Sequence, residues 1–162
     1  MIRDAVALDA QALAALINSW ITGSTITFNS VPKTVQDIET MIADKASAGH
    51  AVLVAEAEGA LLGYATYGQF RGGVGYAHAM EHSIALSPLA RGKGVGRALM
   101  LAIEDHARAG GAHVIFAGVS GENAEGRAFH AAMGYAEVVT LREVGRKFDR
   151  WFDLVLMQKF LS

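Results

Sequence analysis

No cysteine occurs in the 162 residues of this chain. That absence excludes a disulfide framework, a thiolate zinc site and an acyl-cysteine intermediate together, so any acyl transfer must go directly to the acceptor or through another nucleophile. Charge is sparse as well. At 19% charged residues and a formal net charge of −2, nothing points to nucleic acid or an anionic membrane as partner. No uncharged apolar run approaches the ~18 residues of a membrane span, and Met1-Ile2-Arg3-Asp4-Ala5 lacks the basic-then-apolar pattern of a secretory signal. Cytoplasmic residence is the resulting expectation. There is no internal repeat, no low-complexity tract and no polar linker, and no metal is expected.

What is present is apolar: 52% hydrophobic residues, enough for one domain over residues 1–162 with its own core. The pattern begins with a short strand near Ile2 and a helix from about Asp9, with Leu13, Leu16, Ile17 and Trp20 on one face. Thr34 and Asp37 form a capping box for a second helix that buries Ile38, Met41 and Ile42 and stops near Gly49. Three strands follow, Ala51 to Glu56, Leu61 to Phe70 and Ala79 to Leu86, the first two joined at Glu58-Gly59. A helical run, Ala98 to Ala107, ends at Gly110-Gly111, and a strand from His113 to Val119 completes a parallel crossover. Asn123 opens a further helix through Phe129 and Met133. The last two strands, Ala136 to Arg142 and Phe152 to Phe160, pair around Gly145 to Asp149. The reading is an α/β fold with a mixed, twisted sheet of about seven strands and helices on both faces.

The most informative stretch is Arg91-Gly92-Lys93-Gly94-Val95-Gly96-Arg97, between an extended run and a helix. Glycines let backbone amides approach a ligand, a helix N-terminus leaves its first N–H groups unpaired, and Arg91, Lys93 and Arg97 add positive charge. A pyrophosphate fits such a nest. The mononucleotide loop fails for want of Lys-Ser or Lys-Thr, and the dinucleotide fingerprint fails because its third glycine falls on Arg97 or Leu99.

The remaining pattern, R-x-x-G-x-G at Arg91, Gly94 and Gly96, resembles the acetyl-CoA pyrophosphate loop of the GNAT acetyltransferase superfamily. A narrower resemblance, to the phosphinothricin and methionine sulfoximine N-acetyltransferases, rests on Asn29 after Ser24 to Phe28, on Gly63 to Gly68, on Glu81-His82-Ser83, and above all on Val144 to Leu154. It implies the GNAT fold and acetyl transfer from acetyl-CoA to the amino group of a small amino acid or analogue, in a ternary complex and in a homodimer. Ile84 and Leu86 match the backbone that bonds the pantetheine arm beside the loop residues 91–97. Asn123 matches a coenzyme contact, although the family's N-x-x-S here reads Asn123-Ala124-Glu125-Gly126.

A protonated amine has no lone pair to attack a thioester, so a base is needed. Glu81 matches the subgroup's catalytic Glu; a solvated strand-end residue paired with Arg71 is the alternative. His82 and His78 lie beside it as possible proton relays, and His130 stands where many acetyltransferases of the superfamily carry a Tyr that protonates the departing thiolate and where the resembled subgroup tends to have His. Leu86 N–H is the expected oxyanion donor. Arg71 suits an acceptor carboxylate or phosphinate, and Lys147, Arg150 and Trp151 complete that pocket or a dimer contact. Phe28, Phe70 and Tyr76 are aromatic candidates for its wall. Two other functions fit the same loop: acetylation of protein N-termini or lysines, and non-catalytic acyl-CoA sensing.

Overall fold

Apolar residues at both phases of the central strands require cover on two sides, and the computed structural model, which describes residues 1 to 162, has helices on each face of one seven-stranded sheet. In chain order the elements are β1 (Ile2–Asp4), α1 (Ala10–Gly23), α2 (Val35–Ser47), β2 (Val52–Ala57), β3 (Ala60–Gln69), β4 (Ala79–Leu86), α3 (Val95–Ala109), β5 (Val114–Ser120), α4 (Ala124–Ala132), β6 (Ala136–Lys147) and β7 (Arg150–Phe160). The strand order is β1-β2-β3-β4-β5-β7-β6. Every neighbouring pair is antiparallel except β4 and β5.

Alternation along β2 divides the interior. Val52 and Val54 pack with Leu13, Ile38 and Tyr64 under α1 and α2, while Leu53 and Ala55 join Leu99, Ile103, Ile115 and Met157 on the α3 side. Each such side chain contributes on the order of 2 kcal/mol of burial. The parallel pairing of β4 with β5 runs only from Ala79–Val114 to His82–Ala117. Beyond it β4 stays on β3 to Leu86, β5 stays on β7 to Ser120, and the two part. That parting is where the sheet opens.

The expected order of elements is present, and three local details differ. Asp9 precedes α1 but does not cap it through its side chain, because its carboxylate accepts from the Arg3 guanidinium at 2.8 and 2.9 Å and from Val6 N–H. α3 begins at Val95, inside the glycine stretch, so Gly96 and Arg97 belong to its first turn. The final hairpin is longer than Arg142 and Phe152 suggest: β6 and β7 pair to Lys147–Arg150, leaving Phe148 and Asp149 to make the turn at φ 50° and 59°. No helix is long and apolar enough to cross a membrane.

Candidate active site

Ser87 starts the descent from β4 into the loop, its hydroxyl accepting from Leu89 N–H at 3.2 Å over the 3-10 turn Pro88–Ala90. Gly92 and Gly94 then adopt left-handed φ of 73° and 71°, which a side chain would strain. The amides of Gly94, Val95, Gly96 and Arg97 find no acceptor within the protein. Gly96 permits the close approach that holds this cradle: a Cβ there would lie 3.0 Å from Leu86 Cδ1 and 3.3 Å from Phe129 Cε2. Arg91 is exposed and reaches Glu125 at only 3.3 Å, and Lys93 makes no ion pair, so both cations stand at the rim of the amide cradle. Donors at a helix start with mobile cations around them suit a diphosphate.

Where β4 leaves β5, its backbone alternation matters. Ser87 N–H donates to Leu62 O at 2.8 Å, so Ser83 and Ala85 also bond towards β3, and Ile84 and Leu86 turn their amides to the open side. Trp20 Nε1 donates to Leu86 O at 3.1 Å, fastening α1 to the lip of the gap. Helical spacing puts Trp20 on one face with Leu13, Leu16 and Ile17, and nothing in it signals a bond to residue 86.

Glu81 faces the α1–α2 side of the sheet. Its carboxylate lies over Gly118, 2.9 Å from where a Cβ would stand, beside Leu154. It has no hydrogen-bond or ion-pair partner, and burial pushes it above the ordinary carboxylate range. The alternative pairing with Arg71 does not form: Arg71 lies exposed in the β3–β4 loop, its guanidinium 5.5 Å from the Tyr76 ring centroid. Aromatic walls stand on the same face. Phe28 packs on Phe152 at 5.4 Å and over Gly145, and Phe70 stacks on Phe116 at 4.4 Å. Gly118, Phe116 and Leu154, which frame Glu81, were not legible from sequence.

His82 follows Glu81 in the chain and points to the opposite face, because strand side chains alternate. It therefore does not serve as a relay beside Glu81. Instead it stacks on His130, ring centroids 5.1 Å apart at 21°, with Tyr135 edge-on to both. His130 Nδ1 donates to Gly126 O at 2.7 Å, which leaves Nε2 as a lone pair. That Nε2 and both nitrogens of His82 are buried without a partner. Burial pushes His82 down to about 3, with His130 adding, and also lowers His130, opposed by the Gly126 bond and the Glu104 charge. His78 lies away from this pair, bonding Gly111 O at 2.8 Å.

Three residues expected to bind ligands are engaged elsewhere. Lys147 is 3% exposed, and its ammonium donates to Ile21 O, Ser24 O and Thr27 O at 2.7, 2.7 and 2.8 Å. All three protons are occupied, so it pins the α1–α2 loop rather than gripping an acceptor. Trp151 is exposed on the face opposite Phe152, under the Arg146 guanidinium at 4.5 Å, and does not join the aromatic wall. Asn123 caps α4, Oδ1 accepting from Gly126 N–H at 2.9 Å. Its amide fills the space that a Cβ at Gly126 would need, which is how this chain accommodates glycine where the family pattern has serine.

With a split sheet, an amide cradle at the split and a lone carboxylate on one face, the architecture is that of an acyl-group transferase. The chain belongs to the acetyltransferase (GNAT) family, whose model matches residues 15–135. It is 35% identical over 158 residues to an L-methionine sulfoximine/L-methionine sulfone acetyltransferase of Pseudomonas aeruginosa, covering 97% of this chain and 92% of that one. Among solved structures it is similar to a ribosomal-protein-alanine N-acetyltransferase from Brucella melitensis, with TM-score 0.95 and 38% identity over 99% of both chains. It is also similar to a phosphinothricin acetyltransferase from Sinorhizobium meliloti in complex with acetyl-CoA, with TM-score 0.94 and 31% identity over 100% of this chain and 88% of that one.

Proposed function

We propose that this protein transfers the acetyl group of acetyl-CoA to the amino group of a small amino acid or analogue of the methionine sulfoximine, methionine sulfone or phosphinothricin type. One observation carries the reading: the unpartnered, half-buried Glu81 carboxylate beside the parting of β4 and β5. The relatives named for such substrates support the acceptor class.

In this reading both substrates are bound together. Glu81 takes a proton from the acceptor ammonium, and the freed amine nitrogen attacks the thioester carbonyl carbon directly. Leu86 N–H, on the open side of β4, bonds the oxygen as it gains charge. The carbon–sulfur bond breaks, the amide nitrogen gives up its second proton to solvent water, and the thiolate receives its proton from His130 when Nε2 is protonated. Arg71 holds the acceptor's acidic group, and Phe28 and Phe152 bound its side chain. Val138, Val139, Leu141, Val144 and Phe148 leave the β6 edge and its turn apolar and exposed, which supports a homodimer through that hairpin.

A second reading, acetylation of a protein N-terminus, is favoured by the likeness to the alanine N-acetyltransferase. The test is thiol release from acetyl-CoA across a panel of amines. Methionine sulfoximine, methionine sulfone or phosphinothricin should give a higher kcat/KM than peptides beginning with alanine. Faster turnover of the peptides would overturn the small-acceptor reading, and no turnover of any amine would favour a sensor.

A further inference from the structure

Glu104 of α3 is 2% exposed within the apolar core of Leu99, Met100 and Ile103, where a carboxylate needs a reason to be. Its Oε2 accepts from Lys159 Nζ at 2.6 Å and its Oε1 from the Tyr135 hydroxyl at 3.0 Å. The Tyr135 ring meets His82 at 5.7 Å and 73° and His130 at 5.4 Å and 87°. Residues from β4, α3, α4, β7 and the turn just before β6 thus converge on one polar chain. The first residue of that chain is a cation on β7, and its last two are imidazoles with three unpartnered nitrogens. A buried ion pair is weak ground for stability, and what this one visibly does is hold the Glu104 carboxylate between Lys159 and the Tyr135 hydroxyl.

We propose that Glu104, together with Tyr135 and Lys159, is a positioning residue for His130: it locks the Tyr135 ring against the imidazole pair, so that His130 keeps its Nδ1–H on Gly126 and presents Nε2 as the atom that exchanges a proton. The groups facing His130 are His82 from β4, Tyr135 just before β6, and Glu104 from α3, whose charge is shared with Lys159. The Gly126 bond and, after it, the Glu104 charge favour a proton on the ring, acting against the burial that disfavours it and prevails. The role in turnover rests on the acetyl-transfer reading above; the effect on the imidazole does not.

Two variants test it. Glu104→Gln removes the charge, and Tyr135→Phe keeps the ring and removes only the hydroxyl. In histidine-labelled protein, two-bond proton–nitrogen spectra report the His130 tautomer and titration without any turnover. Both variants should lose the single Nδ1–H tautomer, Glu104→Gln should move the titration of His130 to lower pH, and kcat should fall about tenfold with the Kd for acetyl-CoA unchanged. If Glu104→Gln does not fold, the tautomer of Tyr135→Phe decides. An unaltered His130 tautomer in folded variants overturns the proposal. A wild type that acetylates no amine, while His130 still responds to both variants, would instead sink the acetyl-transfer reading and leave the positioning role standing.

Discussion

The Glu81 carboxylate rests over the bare Cα of Gly118, closer than any side chain at residue 118 would allow. Gly118→Ala should therefore tilt the carboxylate away from the parting of the strands while leaving the amide cradle intact. We expect kcat to fall about tenfold or more with the Kd for acetyl-CoA unchanged, measured by steady-state thiol release and calorimetry. Full activity in the alanine variant would show that the carboxylate's position does not matter.

Glu81 should impose an acid limb on the rate. A base works only when ionised, and burial raises this carboxyl above 4.5, so activity should fall with decreasing pH around a midpoint above that of a free glutamate. Glu81→Gln should abolish that limb and lower kcat about a hundredfold. A pH–rate profile that the two proteins share would remove Glu81 as the base.

Lys147 ties the C-terminal hairpin to the α1–α2 loop through three carbonyls. Lys147→Met leaves those carbonyls without their donor and should destabilise the fold by about 3 kcal/mol in urea unfolding. Phe28, one residue beyond Thr27, should lose its seat on Phe152, so the KM for the acceptor should rise more than that for acetyl-CoA. Equal rises would place the loop's influence elsewhere.

His82 makes stability depend on acid. Its folded value, about 3, lies below the ordinary 6.5, so between those values the unfolded chain binds a proton that the folded one refuses. Stability should thus fall as pH drops below 6.5, by up to ~1.4 kcal/mol per pH unit. His82→Phe should flatten that slope when denaturation midpoints are compared at neutral pH and at about pH 5. A slope equal to that of the wild type would assign the acid sensitivity to other groups.

Local chemistry in the chain was the legible part. Thr34 and Asp37 form the anticipated reciprocal cap at 3.0 and 2.8 Å, and the glycine stretch leads into a helix with free amides. These features need only neighbours within a few residues. The last turn is legible only as the wider span Gly145 to Asp149, because two-residue turns with left-handed φ ordinarily advertise themselves by Asn-Gly or Asp-Gly rather than Phe-Asp. The partners of Lys147 lie more than a hundred residues away in the chain, at separations of 120 to 126, and no periodicity announces them. The seat of Trp151 under Arg146 was illegible for a related reason, since it depends on the pairing of β6 with β7, whose register shifts by two residues between Leu141 and Gly145 with no local pattern to announce it.

The fastening of Ile21, Ser24 and Thr27 by Lys147 has a consequence for biosynthesis. As the nascent chain leaves the ribosome, β1 to β4, the glycine cradle and α3 can assemble before the last hairpin emerges. The loop that carries Phe28 must wait for residue 147 before it is fastened. If acetyl transfer is the activity, the half proposed to hold the thioester is ready first, and the half proposed to admit the amine is closed last.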